Sequence, residues 1–160
     1  QLFIISRDAT KKLVVAPDTL KKNIARYLNQ YRLISDAIDI LDARVVNVGI
    51  NFEVVVDPSQ NKKVILQQVI SRLRSFMDIK NFQIDQPMIM SDLMNIVFNT
   101  VGIIAVNDLK VKNISGTYKN RQYSEPFDVK SSMVKGMVIG PPGSIFEVRF
   151  PDFDIQGAAV

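Results

Sequence analysis

The stretch that decides the fold is RVVNVGINFEVVVD, residues 44–57. Apolar side chains occupy every second position in it, at Val46, Val48, Ile50, Phe52, Val54 and Val56. The positions between them are mixed in polarity, at Val45, Asn47, Gly49, Asn51, Glu53 and Val55. Because successive side chains of a β-strand point to opposite faces of a sheet, this alternation predicts a long strand with one buried face and one mixed face. Gly49 offers no side chain to pack, so we expect a bulge or a close backbone approach there.

A helical pattern precedes this strand. Pro17 and Asp18 indicate a helix start, since an Asp side chain can accept hydrogen bonds from the first helical turn. Apolar residues then recur at helical spacing, at Leu20, Ile24, Tyr27, Leu28 and Tyr31. The spacing predicts an amphipathic helix packed on the sheet. Tyr27 and Tyr31 are typical of core residues on such a helix, and the alternative is that they anchor an interface with another chain.

Helices and strands continue to alternate after the central strand. Residues 61–77 and 91–99 show apolar side chains at helical spacing, and residues 103–112 form a further strand candidate. This order favours an α+β fold, with a mixed or antiparallel sheet and helices packed on one of its faces.

The last part of the chain has a different character. Turn signals containing Gly, Pro, Asn and Ser separate short strand candidates from residue 114 onwards. We therefore divide the chain into an α+β domain, residues 1–113, and a β-rich C-terminal extension or arm, residues 114–160. The stretch IFEVRFPDFDIQG, residues 145–157, is too short to bury its own aromatic side chains. It is expected to pack on the first domain or on a partner.

Composition argues against an enzyme. The chain of 160 residues is 47% hydrophobic and contains no Cys and no His, which removes thiolate nucleophiles and the commonest general base. Asp36, Asp39 and Asp42 recur at every third position, but the glycine-bearing loop of a calcium site does not accompany them. We predict no catalytic residue, no cofactor and no metal site. The enzyme alternative would use Asp36 and Asp39 as acid and base.

The net charge of +4 is unevenly distributed. Residues 1–80 hold thirteen Lys and Arg against eight Asp and Glu, whereas residues 81–160 hold seven against eight. This excess leaves a nucleic-acid-binding α+β module as the alternative function. Binding is not favoured, because the central strand supplies only Phe52 for base stacking. Three lysine doublets, Lys11-Lys12, Lys21-Lys22 and Lys62-Lys63, supply much of the positive excess and fit a solvated face.

Two further expectations concern the context of the chain. The longest apolar runs hold about half a dozen residues, against roughly 20 for a membrane-spanning helix, so no membrane association is predicted. The first residue is Gln1 and not Met, which indicates a processed or truncated product, or the ordered part of a longer chain.

Three stretches of the chain resemble a known family. They are KKNIARYLNQYRLISDAIDILDARVVNVGINFEVVV (21–56), FQIDQPMIMSDLMNIV (82–97) and IFEVRFPDFDIQG (145–157). In order and character they resemble the baseplate wedge proteins of contractile tails, the baseplate J-like family, and in particular the C-terminal part of the large wedge subunit of T-even-type phages. The resemblance covers nearly the whole chain but not the N-terminal half of that subunit.

The resemblance implies a structural virion protein located in the tail baseplate and assembled in the host cytoplasm. Members of the family pair with a copy of themselves and build the inner baseplate ring around the hub. They also contact other wedge proteins and sheath-initiating proteins. No catalytic residues belong to the family motif, so none are implied here.

The candidate interface combines the tyrosines of the first helix, the polar positions of the central strand and the C-terminal segment. Its residues are Tyr27, Tyr31, Asn47, Asn51, Glu53, Phe146, Arg149, Phe150, Phe153 and Ile155.

Overall fold

The computed structural model describes residues 1–31 and 37–160, and within these ranges it confirms the predicted α+β fold class. The helices are α1 (Asp18–Leu28), α2 (Lys62–Phe76), α3 (Met90–Phe98) and α4 (Pro151–Asp154), with a 3₁₀ turn at Ile79–Asn81. The strands are β1 (Leu2–Ile4), β2 (Ser6–Arg7), β3 (Leu13–Val14), β4 (Ile40–Asp42), β5 (Arg44–Val56), β6 (Met88–Ile89), β7 (Ile103–Asn113), β8 (Thr117–Tyr118), β9 (Arg121–Gln122), β10 (Met133–Val134), β11 (Met137–Val138), β12 (Ser144–Glu147) and β13 (Ile155–Ala159).

Strand β5 is the centre of the main sheet. It pairs antiparallel with β7, from Val48 opposite Asn113 to Val56 opposite Ile103. It also pairs parallel with β12 over its first residues and with β13 over its second half. The sheet is therefore mixed, as predicted. The remaining strands form smaller sheets: β1 with β4, β2 with β3, β8 with β9, and a three-stranded sheet in which β11 lies between β6 and β10.

The apolar face of β5 forms one side of the hydrophobic core. Its even-numbered residues from Val46 to Val56 are buried, as the alternation predicts. Helices α2 and α3 pack over this core and contribute Ile65, Val69, Leu73, Leu93 and Val97 as buried residues. Burial of each such side chain contributes about 1.5–3 kcal/mol to the stability of the folded chain.

Helix α2 starts where the sequence predicts. Asn61 precedes its first turn, and the Asn61 Oδ1 atom accepts hydrogen bonds from the backbone N–H groups of Lys63 (3.0 Å) and Val64 (3.4 Å). These bonds satisfy two N–H groups that have no partner within the helix. The cap fixes the register in which Ile65, the first buried residue, meets the core.

Helix α1 corrects an expectation. It forms over Asp18–Leu28 but buries none of its residues, so it is not packed into the core. Tyr27 and Tyr31 are exposed, and the interpretation of both as core residues is wrong. The physical reason is that α2 and α3 already supply the buried helical side chains that cover β5.

The C-terminal segment is integrated into the main sheet. Ile145, Phe146 and Ile155 lie in the same hydrophobic core as β5 and α2. This agrees with the expectation that the segment packs on the rest of the chain. It also means that one core spans both predicted parts, so the boundary between residues 113 and 114 does not separate two cores.

Gly49 confirms the predicted close approach. A Cβ atom built on Gly49 would lie 2.9 Å from the backbone oxygen of Asp154 and 2.9 Å from Cδ1 of Ile114. The ladder between β5 and β7 is regular at Gly49, and its register shifts lie beyond Glu53. The glycine therefore allows the end of α4 to cross the mixed face of β5 at van der Waals distance.

Gly157 makes a similar approach on the buried face, which gives a first testable prediction. It lies opposite Phe52 in the register of β13 and β5, and a Cβ atom on Gly157 would overlap the buried Phe52 ring. We expect Gly157→Ala to lower the free energy of unfolding by about 1–3 kcal/mol, because the ring has to move within a packed core.

The matched test is a double-mutant cycle in urea with Phe52→Leu. The smaller leucine leaves room for the new methyl group, so the double variant should lose less than the sum of the single losses. Strictly additive losses would show that Phe52 and Gly157 do not pack against each other.

Candidate functional site

The structure separates the candidate interface residues by burial. Tyr27, Tyr31, Glu53 and Phe153 are exposed; Asn51, Arg149 and Phe150 are half-buried; Asn47, Phe146 and Ile155 are buried. The burial of Asn47, Phe146 and Ile155 corrects the prediction that they lie in an interface. Their side chains pack inside their own chain and are not accessible to a neighbouring chain. The mixed face of β5 is thus covered at its N-terminal half and open at Glu53.

A polar cluster of Asn47, Glu147 and Arg149 occupies the covered half. Glu147 lies opposite Asn47 in the register of β12 and β5, and only 1% of its surface is exposed. Its Oε1 atom accepts hydrogen bonds from Asn47 Nδ2 (2.8 Å) and from Arg149 Nη1 (3.3 Å). Its Oε2 atom accepts from the backbone N–H of Leu13 at 2.6 Å. Each carboxylate oxygen therefore has a donor, as burial of a charge requires.

Asn47 extends the cluster to a second segment. Its Oδ1 atom accepts a hydrogen bond from the backbone N–H of Ser124 (2.7 Å), and its own backbone N–H donates to Ser124 Oγ (3.0 Å). Arg149 Nη1 also donates to the backbone oxygen of Leu13 at 3.2 Å. The cluster thus joins β3, β5, β12 and the segment after β9 through side chains. We assign it a structural role.

A second polar contact, between the buried Asp154 and the half-buried Tyr123, holds the end of α4. Asp154 Oδ1 accepts a hydrogen bond from the Tyr123 hydroxyl (2.7 Å), and Asp154 Oδ2 accepts from the backbone N–H of Phe150 (2.9 Å). Burial raises the pKa of Asp154, opposed by these two hydrogen bonds. Burial and the bond to Asp154 raise the pKa of Tyr123 to about 12, so the hydroxyl stays a neutral donor at physiological pH.

The α1 surface, defined as Leu20 and Tyr27 of α1 and Tyr31 just after the helix, is a group of exposed apolar side chains. These side chains are 42%, 59% and 71% exposed, and the two tyrosine rings lie 5.2 Å apart between centroids. The helix is held to its own chain by Lys21, whose Nζ atom lies 2.8 Å from Asp42 Oδ2 of β4. The hydrogen bond from Lys21 to Asp42 raises the pKa of the Lys21 ammonium group.

The structure also bears on the residues considered for metal binding, for acid–base chemistry and for base stacking. Among the described residues, no three Asp, Glu, His or Cys side chains are grouped so that they could hold a metal ion. Asp36 lies outside the described residues, and Asp42 pairs with Lys21. Phe52 is buried against Gly157, so its ring is not available for base stacking.

Sequence reasoning missed Glu147 and Ser124. Glu147 had a detectable signal, because a carboxylate within the apolar run IFEVRF, two residues before an arginine on the same face of a strand, is typical of a buried pair. Ser124 had none, since its contact with Asn47 depends on the path of a loop.

No protein-family model matches the chain, and no curated protein matches it. Within the part of the chain that the structure describes, the helices are too short or too polar to cross a membrane.

Proposed function

We propose that this chain is an assembly module of a contractile phage tail: a structural virion protein of the baseplate wedge that pairs with a second copy and helps build the inner ring around the hub. The observation that carries the proposal is helix α1, an amphipathic helix of 11 residues without a buried residue. The family resemblance of residues 21–56, which contain β5 and the part of α1 from Lys21 onwards, supports the same proposal.

The physical argument starts from the cost of leaving the α1 surface uncovered. A helix of this length is marginal in isolation, because isolated helices shorter than roughly 12–15 residues gain too little from their own hydrogen bonds. In most proteins packing of the apolar face supplies the remaining stability. Tyr27 and Tyr31 do not obtain that packing from residues 1–31 and 37–160, which the structure describes, so a partner would provide it.

Tyrosine is also the residue type best suited to such a contact. Tyr and Trp are enriched among the few interface residues that carry most of the binding free energy. The ring supplies a large apolar area with little rotamer entropy to lose, and the hydroxyl can bond at the rim of the interface. Two adjacent rings at 5.2 Å form a small continuous patch rather than isolated exposed residues.

The partners follow from the proposed setting. A second copy of the chain would cover the α1 surface in the wedge pair, and other wedge, hub and sheath-initiating proteins would contact the remaining surface. Obligate interfaces commonly bury more than about 2,000 Å² in total, which exceeds the α1 surface alone. Glu53, Phe153 and part of β7 are further exposed parts of the chain.

The test is the effect of the double variant Tyr27→Ser/Tyr31→Ser on self-association. We expect the wild-type chain to form dimers or larger species in sedimentation equilibrium, and the variant to dissociate with a Kd at least about tenfold higher. The midpoint of thermal unfolding should change little when measured on the monomer, because neither ring lies in the core.

The matched control is Phe98→Ser, which removes an exposed aromatic side chain from helix α3. Association should be unchanged in this variant. A wild-type chain that remains monomeric at every concentration, and in the presence of wedge proteins, would contradict the proposal.

The nucleic-acid alternative rests on the net charge of +4. Salt-sensitive binding of short DNA or RNA would favour it, since phosphate contacts weaken as counterions are added.

A further inference from the structure

A cavity of about 610 Å³ lies between the end of β7, the β8–β9 ribbon and the start of β13. Its wall is both cationic and aromatic, formed in part by Lys112, Tyr118, Lys119, Arg121, Phe153 and Gln156. We call this cavity the basic pocket. It is separate from the α1 surface, and none of the roles assigned above uses its cations.

The positive charge of the basic pocket is neutralised only in part. Lys112, Lys119 and Arg121 form no ion pair with any residue that the structure describes. The acidic residue in the wall, Asp154, is buried, and its two oxygens already accept hydrogen bonds from Tyr123 and Phe150. Arg121 and Lys112 interact electrostatically with the Asp154 carboxylate, so the three cations of the pocket leave an excess of positive charge for a ligand.

Arg121 lies over the ring of Phe153 and near that of Phe150. Its guanidinium carbon lies 3.3 Å from the centroid of the Phe153 ring and 5.9 Å from that of Phe150. A guanidinium group stacked on an aromatic ring keeps its plane fixed, and the N–H groups at its edge remain able to donate two parallel hydrogen bonds. Such a fork matches the two oxygens of a carboxylate.

We propose that the basic pocket binds an acidic peptide segment of a partner protein, with a carboxylate of that segment paired to Arg121. The cavity volume falls within the range of pockets that enclose a ligand of a few residues or less. Lys119, whose Nζ atom lies 5.3 Å above the Tyr118 ring, and Lys112 would pair with neighbouring carboxylates.

A peptide fits these contacts better than a single-stranded nucleic acid. Base stacking requires the open face of an aromatic ring. In the basic pocket a cation lies over a face of Phe153 and over a face of Tyr118, so the rings serve to position the cations.

The test is binding of a fluorescein-labelled hexaglutamate peptide, followed by fluorescence anisotropy at low and high salt. We expect hexaglutamate to bind and hexaglutamine to bind at least about tenfold more weakly, because the neutral peptide lacks the carboxylates. Arg121→Gln should weaken hexaglutamate binding at least about tenfold, and Arg121→Lys should recover only part of it, since an ammonium group cannot form the planar fork.

The matched control is Arg26→Gln, which removes the same charge from α1, outside the pocket. It should change the affinity less than about twofold, because screening reduces the effect of distant exposed charges. Should Arg121→Gln fail to fold, Lys119→Gln tests the same pocket at an exposed side chain.

Three results would overturn the inference. They are equal binding of hexaglutamate and hexaglutamine, equal weakening by Arg26→Gln and Arg121→Gln, and Arg121-dependent binding of a thymidine oligonucleotide tighter than that of the peptide. The last result would assign the pocket to nucleic acid. None of these measurements depends on self-association, so the α1 proposal and this inference can fail separately.

Discussion

Replacement of Glu147 with alanine is expected to lower the free energy of unfolding by about 3–5 kcal/mol. The variant leaves the Asn47 amide, the Leu13 backbone N–H and the Arg149 guanidinium without their shared acceptor. Unpaired buried donors retain their full desolvation cost, and a cation that loses its buried partner adds to it. Since domains of this size unfold with about 5–15 kcal/mol, the loss should be plain in a urea titration.

Two variants serve as controls for this prediction. Glu53→Ala removes an exposed glutamate from β5 and should leave the urea midpoint nearly unchanged. Glu147→Gln keeps one acceptor oxygen but turns the other into a donor, so it should fall between wild type and Glu147→Ala. If Glu147→Ala were as mild as Glu53→Ala, the polar cluster could not be what joins β3 to β5 and β12.

The second large effect is expected from Leu73→Ala, which should cost about 2–5 kcal/mol of unfolding free energy. Leu73 is a fully buried residue of α2 and lies against the core formed with β5. Removal of its side chain deletes buried apolar area and leaves a cavity that the packed surroundings fill only in part. Chemical denaturation followed by circular dichroism measures the change.

The matched comparison is Leu20→Ala, the same chemical change on α1. Leu20 is 42% exposed, so its truncation should cost less than about 1 kcal/mol in the monomer and should weaken self-association instead. Equal losses of monomer stability from the two variants would mean that α1 is a core helix, and the proposed role of the α1 surface would then have no basis.

Periodicity predicted the parts of the fold that are determined locally. Strand β5 alternates because one of its faces is covered by helices, and α2 has a stripe of buried residues for the same reason. In both elements the apolar residues lie on the face that the rest of the chain buries, so the predicted and observed buried faces agree.

Helix α1 shows the limit of that reasoning. Its spacing of apolar residues resembles that of α2, but amphipathicity indicates only that a face needs covering and not what covers it. The candidate interface failed at Asn47, Phe146 and Ile155 for a related reason. Each is buried by pairing between β5 and strands about 100 residues later, and such register is not encoded in a local pattern.

The most direct test of the proposed assembly role is a cryo-EM map of the intact contractile-tail particle to which we propose that this chain belongs. We predict paired copies of the chain around the tail axis, with Leu20, Tyr27 and Tyr31 covered by a neighbouring chain. Copies that stand singly with these three side chains facing solvent, or a particle whose baseplate lacks the chain, would contradict the proposal.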